Sequence, residues 1–250
     1  EDKYKFLESA SLDNINWIEV KPTEPNYFFA PKNLDYEDEY NKELSINDIF
    51  PVYAAGVKTR RDNVCVDYDR ETLLNRFCDI SINTNLEELK EKYNIKDTEY
   101  WNLEKAKLDI KQDEIESKLL LYAYRPFDNR WVYYNHKIIE RGDSRKELMG
   151  HLLKGNNIAL LSCRQQVEPG FYHIFCSEIL TEHCTVSLKS REATYVFPLY
   201  TYPNTENDQT NLFIEKTPNL SPKFLETIKE KLGKIPTPEK IFYYAYAIFH

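Results

Sequence analysis

Six glycines in 250 residues leave little material for backbone loops that cradle phosphates or a nucleotide cofactor. No G-x-x-x-x-G-K-[ST] loop occurs, and Gly-x-Ser-x-Gly and His-Glu-x-x-His are absent as well. The Asn/Asp-Pro-Pro-Tyr/Phe loop with which a methyltransferase of exocyclic amines holds a flipped base is also missing. Acidic residues are numerous, but they lie in charged helical stretches of solvated character, and a chance Asp…Glu-x-Lys there carries little weight. No catalytic centre is legible in the chain.

Cysteine is scarce too. Cys65, Cys78, Cys163, Cys176 and Cys184 are odd in number and contain no C-x-x-C pair, which argues against a disulfide framework or a zinc ribbon. His173, Cys176, His183 and Cys184 could ligate a metal, but they fall in an apolar, strand-like run, so core cysteines and no metal are expected. No apolar run approaches the roughly 18 residues of a membrane helix, and the mean hydropathy is −0.63. The first residues lack the apolar core of a signal peptide. These features predict a cytoplasmic protein with no membrane partner. The sequence starts without Met and stops inside a helix-like pattern, so it is read as a piece of a longer chain.

The net charge of −8 excludes a uniformly basic arm that holds nucleic acid by charge alone. The charge is unevenly distributed. Residues 1–50 carry −7, whereas 125–191 carry +3. Hydrophobic residues make up 42%, enough for a sizeable core.

Strands are expected at 16–20, 26–29, 52–55, 64–68, 120–124, 130–134, 158–163, 171–176 and 195–199. Helices are expected at 45–50, 70–77, 145–153, 222–232 and 238–250. The charged stretch 86–118 predicts a solvated helical hairpin with one buried stripe. The class is α+β, with an antiparallel-rich sheet, a helical hairpin insertion, C-terminal helices and a possible division into lobes 1–118 and 119–250.

All ten arginines fall between positions 60 and 191. Several stand in polar turns beside other groups able to bond base edges. The clearest are Lys58-Thr59-Arg60-Arg61, Asp128-Asn129-Arg130, Arg164-Gln165-Gln166 and Lys189-Ser190-Arg191, with Arg125 and Arg141 nearby. The planar fork of arginine suits bidentate contact with guanine or phosphate. Single arginines can equally serve as surface ion pairs, and Arg130–Asp128 or Arg141–Asp143 would suffice for that. The cluster as a whole points to nucleic acid.

Tyr124-Arg125-Pro126-Phe127-Asp128-Asn129-Arg130-Trp131-Val132-Tyr133-Tyr134 resembles the Y-R-P-F-D-x-R-x-x-Y-Y signature of the C-terminal specificity region of single-chain type ISP restriction–modification enzymes. Related adenine-specific DNA methyltransferases carry similar regions. Segments 50–62, 162–166, 195–200, 217–220 and 238–250 fit the same family in the same order, so the resemblance covers nearly the whole chain. It implies a target recognition domain spanning 1–250 that binds a specific double-stranded DNA sequence. It also implies an upstream methyltransferase core in the same chain that modifies adenine with S-adenosylmethionine. No cofactor belongs to this segment itself, whose core motifs are missing.

The roles expected on this basis are as follows. Lys58, Thr59, Arg60 and Arg61 line one loop over DNA. Arg164, Gln165 and Gln166 contact bases, and Lys189, Ser190 and Arg191 form a second reading or phosphate-gripping loop. Arg125, Asn129, Arg130 and Arg141 complete the candidate set, although Arg125, Asp128 and Arg130 could instead form a buried ion-pair network. Two other readings compete. One is a protein–protein docking domain that uses its aromatics and the 86–118 stretch, with structural arginines; the other is a nuclease without a recognisable motif.

Overall fold

The computed structural model describes residues 3–22, 24, 27–29, 36–40, 42–139, 142–167, 170, 172–203 and 216–249. Two units are distinguished, Glu1–Leu44 and Ser45–His250. The first contains helices α1 (Lys3–Ser9) and α2 (Glu37–Tyr40). Residues 16–20 and 27–29 form no ladder, because no partner strand accompanies them among the described residues of this unit. Asn26, the first residue of the second expected strand, lies outside the described residues.

The second unit is α+β. Its helices are α3 (Ile46–Ile49), α4 (Asp62–Cys65), α5 (Arg70–Ile82), α6 (Leu86–Tyr93), α7 (Leu103–Lys107), α8 (Lys146–Leu153), α9 (Pro222–Leu232) and α10 (Pro238–Ile248). Its strands are β1 (Ala54–Ala55), β2 (Val66–Asp67), β3 (Leu119–Arg125), β4 (Asp128–Tyr133), β5 (Ala159–Cys163), β6 (Phe175–Ser177), β7 (Leu180–Thr181), β8 (Thr194–Pro198), β9 (Tyr200–Thr201) and β10 (Thr217–Pro218).

Local chemistry sets the helix boundaries. Ser45 and Asp48 close a reciprocal capping box on α3. Ser221 and Thr237 cap α9 and α10, each with proline in the first turn, and Gly233 ends α9 in the left-handed region. The expected strand 64–68 begins instead as a helical turn. Val64 and Cys65 both donate backbone N–H to the Arg61 carbonyl, which carries their side chains into the core, and only Val66–Asp67 pairs with β4.

The 86–118 stretch holds two helices, α6 and α7, both within residues 86–107. Asn94, left-handed at φ 50, ends α6, and after α7 the chain passes through two 3-10 turns, Gln112–Glu114 and Glu116–Lys118. Leu89, Trp101, Leu103, Ala106, Ile110 and Ile115 are all buried.

One sheet has the order β1-β8-β5-β6 and is antiparallel throughout; a second, β2-β4-β3-β7, is antiparallel except for the parallel β3–β7 pair. A two-stranded ladder joins β9 to β10. The side-chain alternation of the first sheet feeds two cores. Ala159, Leu161 and Val196 join the core that also holds Phe77 and Tyr133, whose rings stack at 3.7 Å. Leu160 and Phe197 join the other, where Phe50 and Phe242 pack edge to face at 6.4 Å. Position 118, the expected lobe limit, falls inside the second unit, where β2 pairs with β4 across it. Among the five cysteines only Cys65 is fully buried, and Cys176 is exposed on edge strand β6. Among the described residues no helix is long and apolar enough to cross a membrane.

Candidate nucleic-acid interface

Strand direction decides which loops meet. β8 is antiparallel to both β1 and β5, with Tyr195 facing Ala55 on one side and Ser162 on the other. The segment after β1, the segment after β5 and the segment before β8 therefore leave one end of the sheet. These are the segments that carry Lys58, Arg164 and Lys189.

The second sheet is joined at the same end. Val57 bridges Glu182 in parallel, with Val57 N–H on the Thr181 carbonyl at 2.8 Å and His183 N–H on the Val57 carbonyl at 2.8 Å. Glu182 N–H in turn bonds the Ala123 carbonyl at 3.0 Å. Because β3 is parallel to β7, the β3–β4 turn at Pro126–Phe127 points the same way. Gly56 permits this junction: a Cβ there would lie 2.5 Å from the Glu182 carbonyl oxygen.

The candidate residues divide by exposure. Lys58, Arg164, Gln165, Gln166, Lys189, Ser190 and Arg191 are exposed, as is Asn129 beside the hairpin turn. Arg164 lies over the Tyr195 ring at 5.6 Å and, among the described residues, has no carboxylate within ion-pair distance. Gln166 donates its amide to the Gly170 carbonyl. Arg60 is half exposed and pairs through Nε with Asp143 at 2.5 Å.

Thr59 and Arg61 are turned inward. Thr59 is 1% exposed and donates its hydroxyl to Asp62. Arg61 is 6% exposed and stacks on Trp101, with its guanidinium carbon 3.5 Å from the ring centroid. Thr59 is held by an acid three residues on, whereas Arg61 is drawn in by a ring 40 residues away. Arg141 lies outside the described residues.

Arg125 and Arg130 are held in place. Arg130 forks onto Asp128, with Nε 3.1 Å from Oδ1 and Nη2 2.7 Å from Oδ2, and also donates to the Tyr68 hydroxyl at 2.6 Å. Its guanidinium sits 4.1 Å from the Tyr68 ring and 3.9 Å from the Tyr124 ring. The Arg130 fork holds the Asp128 carboxyl below its ordinary value. Arg125 pairs with Glu182 at 2.6 Å, not with Asp128. Burial, the largest influence on Glu182, raises its carboxyl above the ordinary value, while Arg125 and the Cys184 N–H pull it down.

Two further acids, Glu192 and Asp143, organise this end together with His173 and His183, which the sequence offered only as possible metal ligands. Glu192, fully buried, accepts hydrogen bonds from the Val167 N–H and from the Ser187 hydroxyl, and lies 3.1 Å from His173 Nε2. It thereby fastens the loop after β5 to the loop before β8. Asp143 accepts from Arg60, and its carbonyl accepts the Lys58 N–H at 3.0 Å. His183 is held below its ordinary value of 6.5, first by burial and then by the charges of Lys58 and Arg145.

Backbone strain collects here as well. Within the second unit, the described non-glycine residues at positive φ are Arg60, Asn94, Phe127, Arg145 and Arg191, and all but Asn94 lie in these loops or beside Asp143. Their signal is conformational and leaves no mark in residue type.

The model of the Type ISP C-terminal specificity domain matches residues 48–250. No curated protein matches the chain. Among solved structures, the DrdV–DNA complex shares its fold at a TM-score of 0.66 and 19% identity, over 100% of this chain and 25% of that one. The ATP-dependent Type ISP restriction–modification enzyme LlaBIII bound to DNA gives 0.61 and 22%, over 92% and 15%. A nuclease-deletion mutant of the Type ISP restriction–modification enzyme LlaGI, in complex with a DNA substrate mimic, gives 0.54 and 17%, over 88% and 22%. The chain thus spans a quarter or less of the length of these proteins. With the family match running from the α3 turn through α10, the chain belongs to the Type ISP C-terminal specificity domain family.

Proposed function

We propose that this chain recognises a specific double-stranded DNA sequence as the specificity domain of a restriction–modification enzyme. The observation that carries the reading is the convergence of Lys58, Arg164, Gln165, Lys189 and Arg191, all exposed, on one end of two joined sheets. Lysine and arginine there neutralise phosphates and fix register, while Arg164, Gln165 and Asn129 offer the forked and amide donors that read base edges in the major groove. The family match and the DNA complexes of the structural relatives support the same reading. Within 86–118, which a docking role would use, Leu89, Trp101, Leu103, Ala106, Ile110 and Ile115 are buried, while Tyr100 and Leu108 are exposed.

In this proposal the parent protein modifies adenine with S-adenosylmethionine through a methyltransferase core elsewhere in its chain, in the cytoplasm. The present segment supplies no group for that step. Base flipping costs a few kcal/mol, and a separate domain that grips the flanking duplex keeps the enzyme in register while that cost is met.

Selection of bound duplexes from a random-sequence pool, at low and moderate salt, tests the reading. An asymmetric motif that stays enriched at moderate salt is the expected result. Binding without enrichment that disappears with salt, or no binding at all, would overturn sequence recognition by this chain.

A further inference from the structure

The β3–β4 turn presents a feature that the cationic loops do not account for. Phe127 stands at its tip with a relative exposure of 101%. With Leu121, Phe175 and Ile179 it borders a groove of about 360 Å³, yet its side chain is left fully exposed. Phe127 has φ 62, a conformation that favours glycine in a turn, and it follows Pro126, whose ring fixes its own φ. A bulky apolar side chain is thus held outward, at a cost in backbone energy and with no compensating burial.

The turn is also rigidly based. Arg125 and Asp128 are its flanking pair, and each is anchored, Arg125 by Glu182 and Asp128 by the Arg130 fork. Glu182 is the residue that bridges to Val57, one position before Lys58, so the tip is mechanically continuous with the exposed cations. Arg125 and Arg130 keep 25% and 23% of their side chains exposed on either side of the apolar tip. An aromatic ring held outward on a braced turn is complementary to the apolar faces of a base step.

We infer that Phe127 is a wedge that enters one base step of the bound duplex, partly unstacking and kinking it. This inference rests on the duplex-binding reading above. Apolar side chains inserted in this way bend DNA by roughly 20–90°. The role also explains why the position tolerates an exposed phenylalanine in a conformation suited to glycine.

The test uses the full 250-residue chain and duplexes recovered by the wild type from a random pool, labelled at both ends for energy-transfer measurement of bend angle. The wild type is expected to kink the duplex by at least about 20°. Phe127→Ala is expected to lose the kink and about tenfold in affinity, and Phe127→Trp to retain both. All three should melt together, because the ring contributes nothing to the core. An unbent wild-type complex, or a Phe127→Ala complex bent like the wild type, would overturn the wedge. Duplex binding that persists in either of those cases leaves the recognition reading standing. A wild type that binds no duplex would overturn both.

Discussion

Arg130 and Arg164 both stand at the interface end of a strand, and both guanidinium groups lie over tyrosine rings. Arg130 is forked onto a carboxylate two residues away and bonded to the hydroxyl of Tyr68, the residue after β2, so its donors are largely committed. Arg164 lies over the Tyr195 ring, has no carboxylate within ion-pair distance among the described residues, and is exposed to solvent. The contrast extends to the surrounding regions. The hairpin of the second sheet, with Arg125 and Arg130, is a braced structure, while the loops of the first sheet present their cations outward. An arginine in a polar turn is therefore a strut where a carboxylate or a buried ring is within reach, as for Arg130 and Arg61, and Arg164 shows the exposed alternative.

The largest effect should come from breaking the brace. Arg125→Ala leaves Glu182 buried without its cation, and a loss of about 3 kcal/mol is expected in chemical denaturation, with Arg125→Ala/Glu182→Gln recovering part of it. An unchanged denaturation midpoint would show that the hairpin pair is not structural. Gly56→Ala should cost about 1–3 kcal/mol, since its Cβ would press on the Glu182 carbonyl where the two sheets join.

On the other side of the comparison, Arg164→Ala should shift stability by no more than about 0.5 kcal/mol. It should weaken duplex binding by about 1–3 kcal/mol, roughly 5- to 150-fold, and relax selection at one base position. Lys189→Ala should weaken binding evenly across sequences and lower the salt slope by about 1. Equal melting losses for Arg164→Ala and Arg125→Ala would erase the distinction drawn here.

The smallest effects lie in the pH dependence, where the two acids of the brace act in opposite senses. Asp128 is held below its ordinary value of 3.8 by Arg130, so its contribution is present above that value and is lost as pH falls through its folded value. Arg130→Ala should flatten that acid limb. Glu182 is raised above its ordinary 4.5 by burial, so folding favours its protonated form and stability declines as pH rises through 4.5 toward the folded value. Glu182→Gln should remove that decline, which thermal melts across pH 3–7 would read, within the roughly one-unit spread such carboxyls show in folded proteins.

Much of the frame was legible along the chain. The caps at Ser45, Ser221 and Thr237, the prolines at 222 and 238 and the apolar runs expected as strands at 120–124 and 195–199 are local signals, so the helices and central strands stand close to where the sequence puts them. Segments without a local reason to choose were less legible. Val64 and Cys65 have strand character, yet the Arg61 carbonyl draws them into a helical turn that buries both. Residues 86–118 have the charge pattern of a long helical pair, but Asn94 breaks it and the core takes its apolar residues individually.

By itself the sequence determined that the chain is α+β, that its arginines gather between 60 and 191, and that polar turns carry them. Those properties depend on residue type and near neighbours. Only the tertiary structure decided that Arg61 is buried on Trp101, that Arg125 answers to an acid 57 residues away and Arg60 to one 83 away, and that Arg164 and Arg191 remain exposed. The reason is physical. A guanidinium keeps its donors available for a partner only where no carboxylate comes within a few ångströms, and that distance is set by which strands pair, not by which residues adjoin.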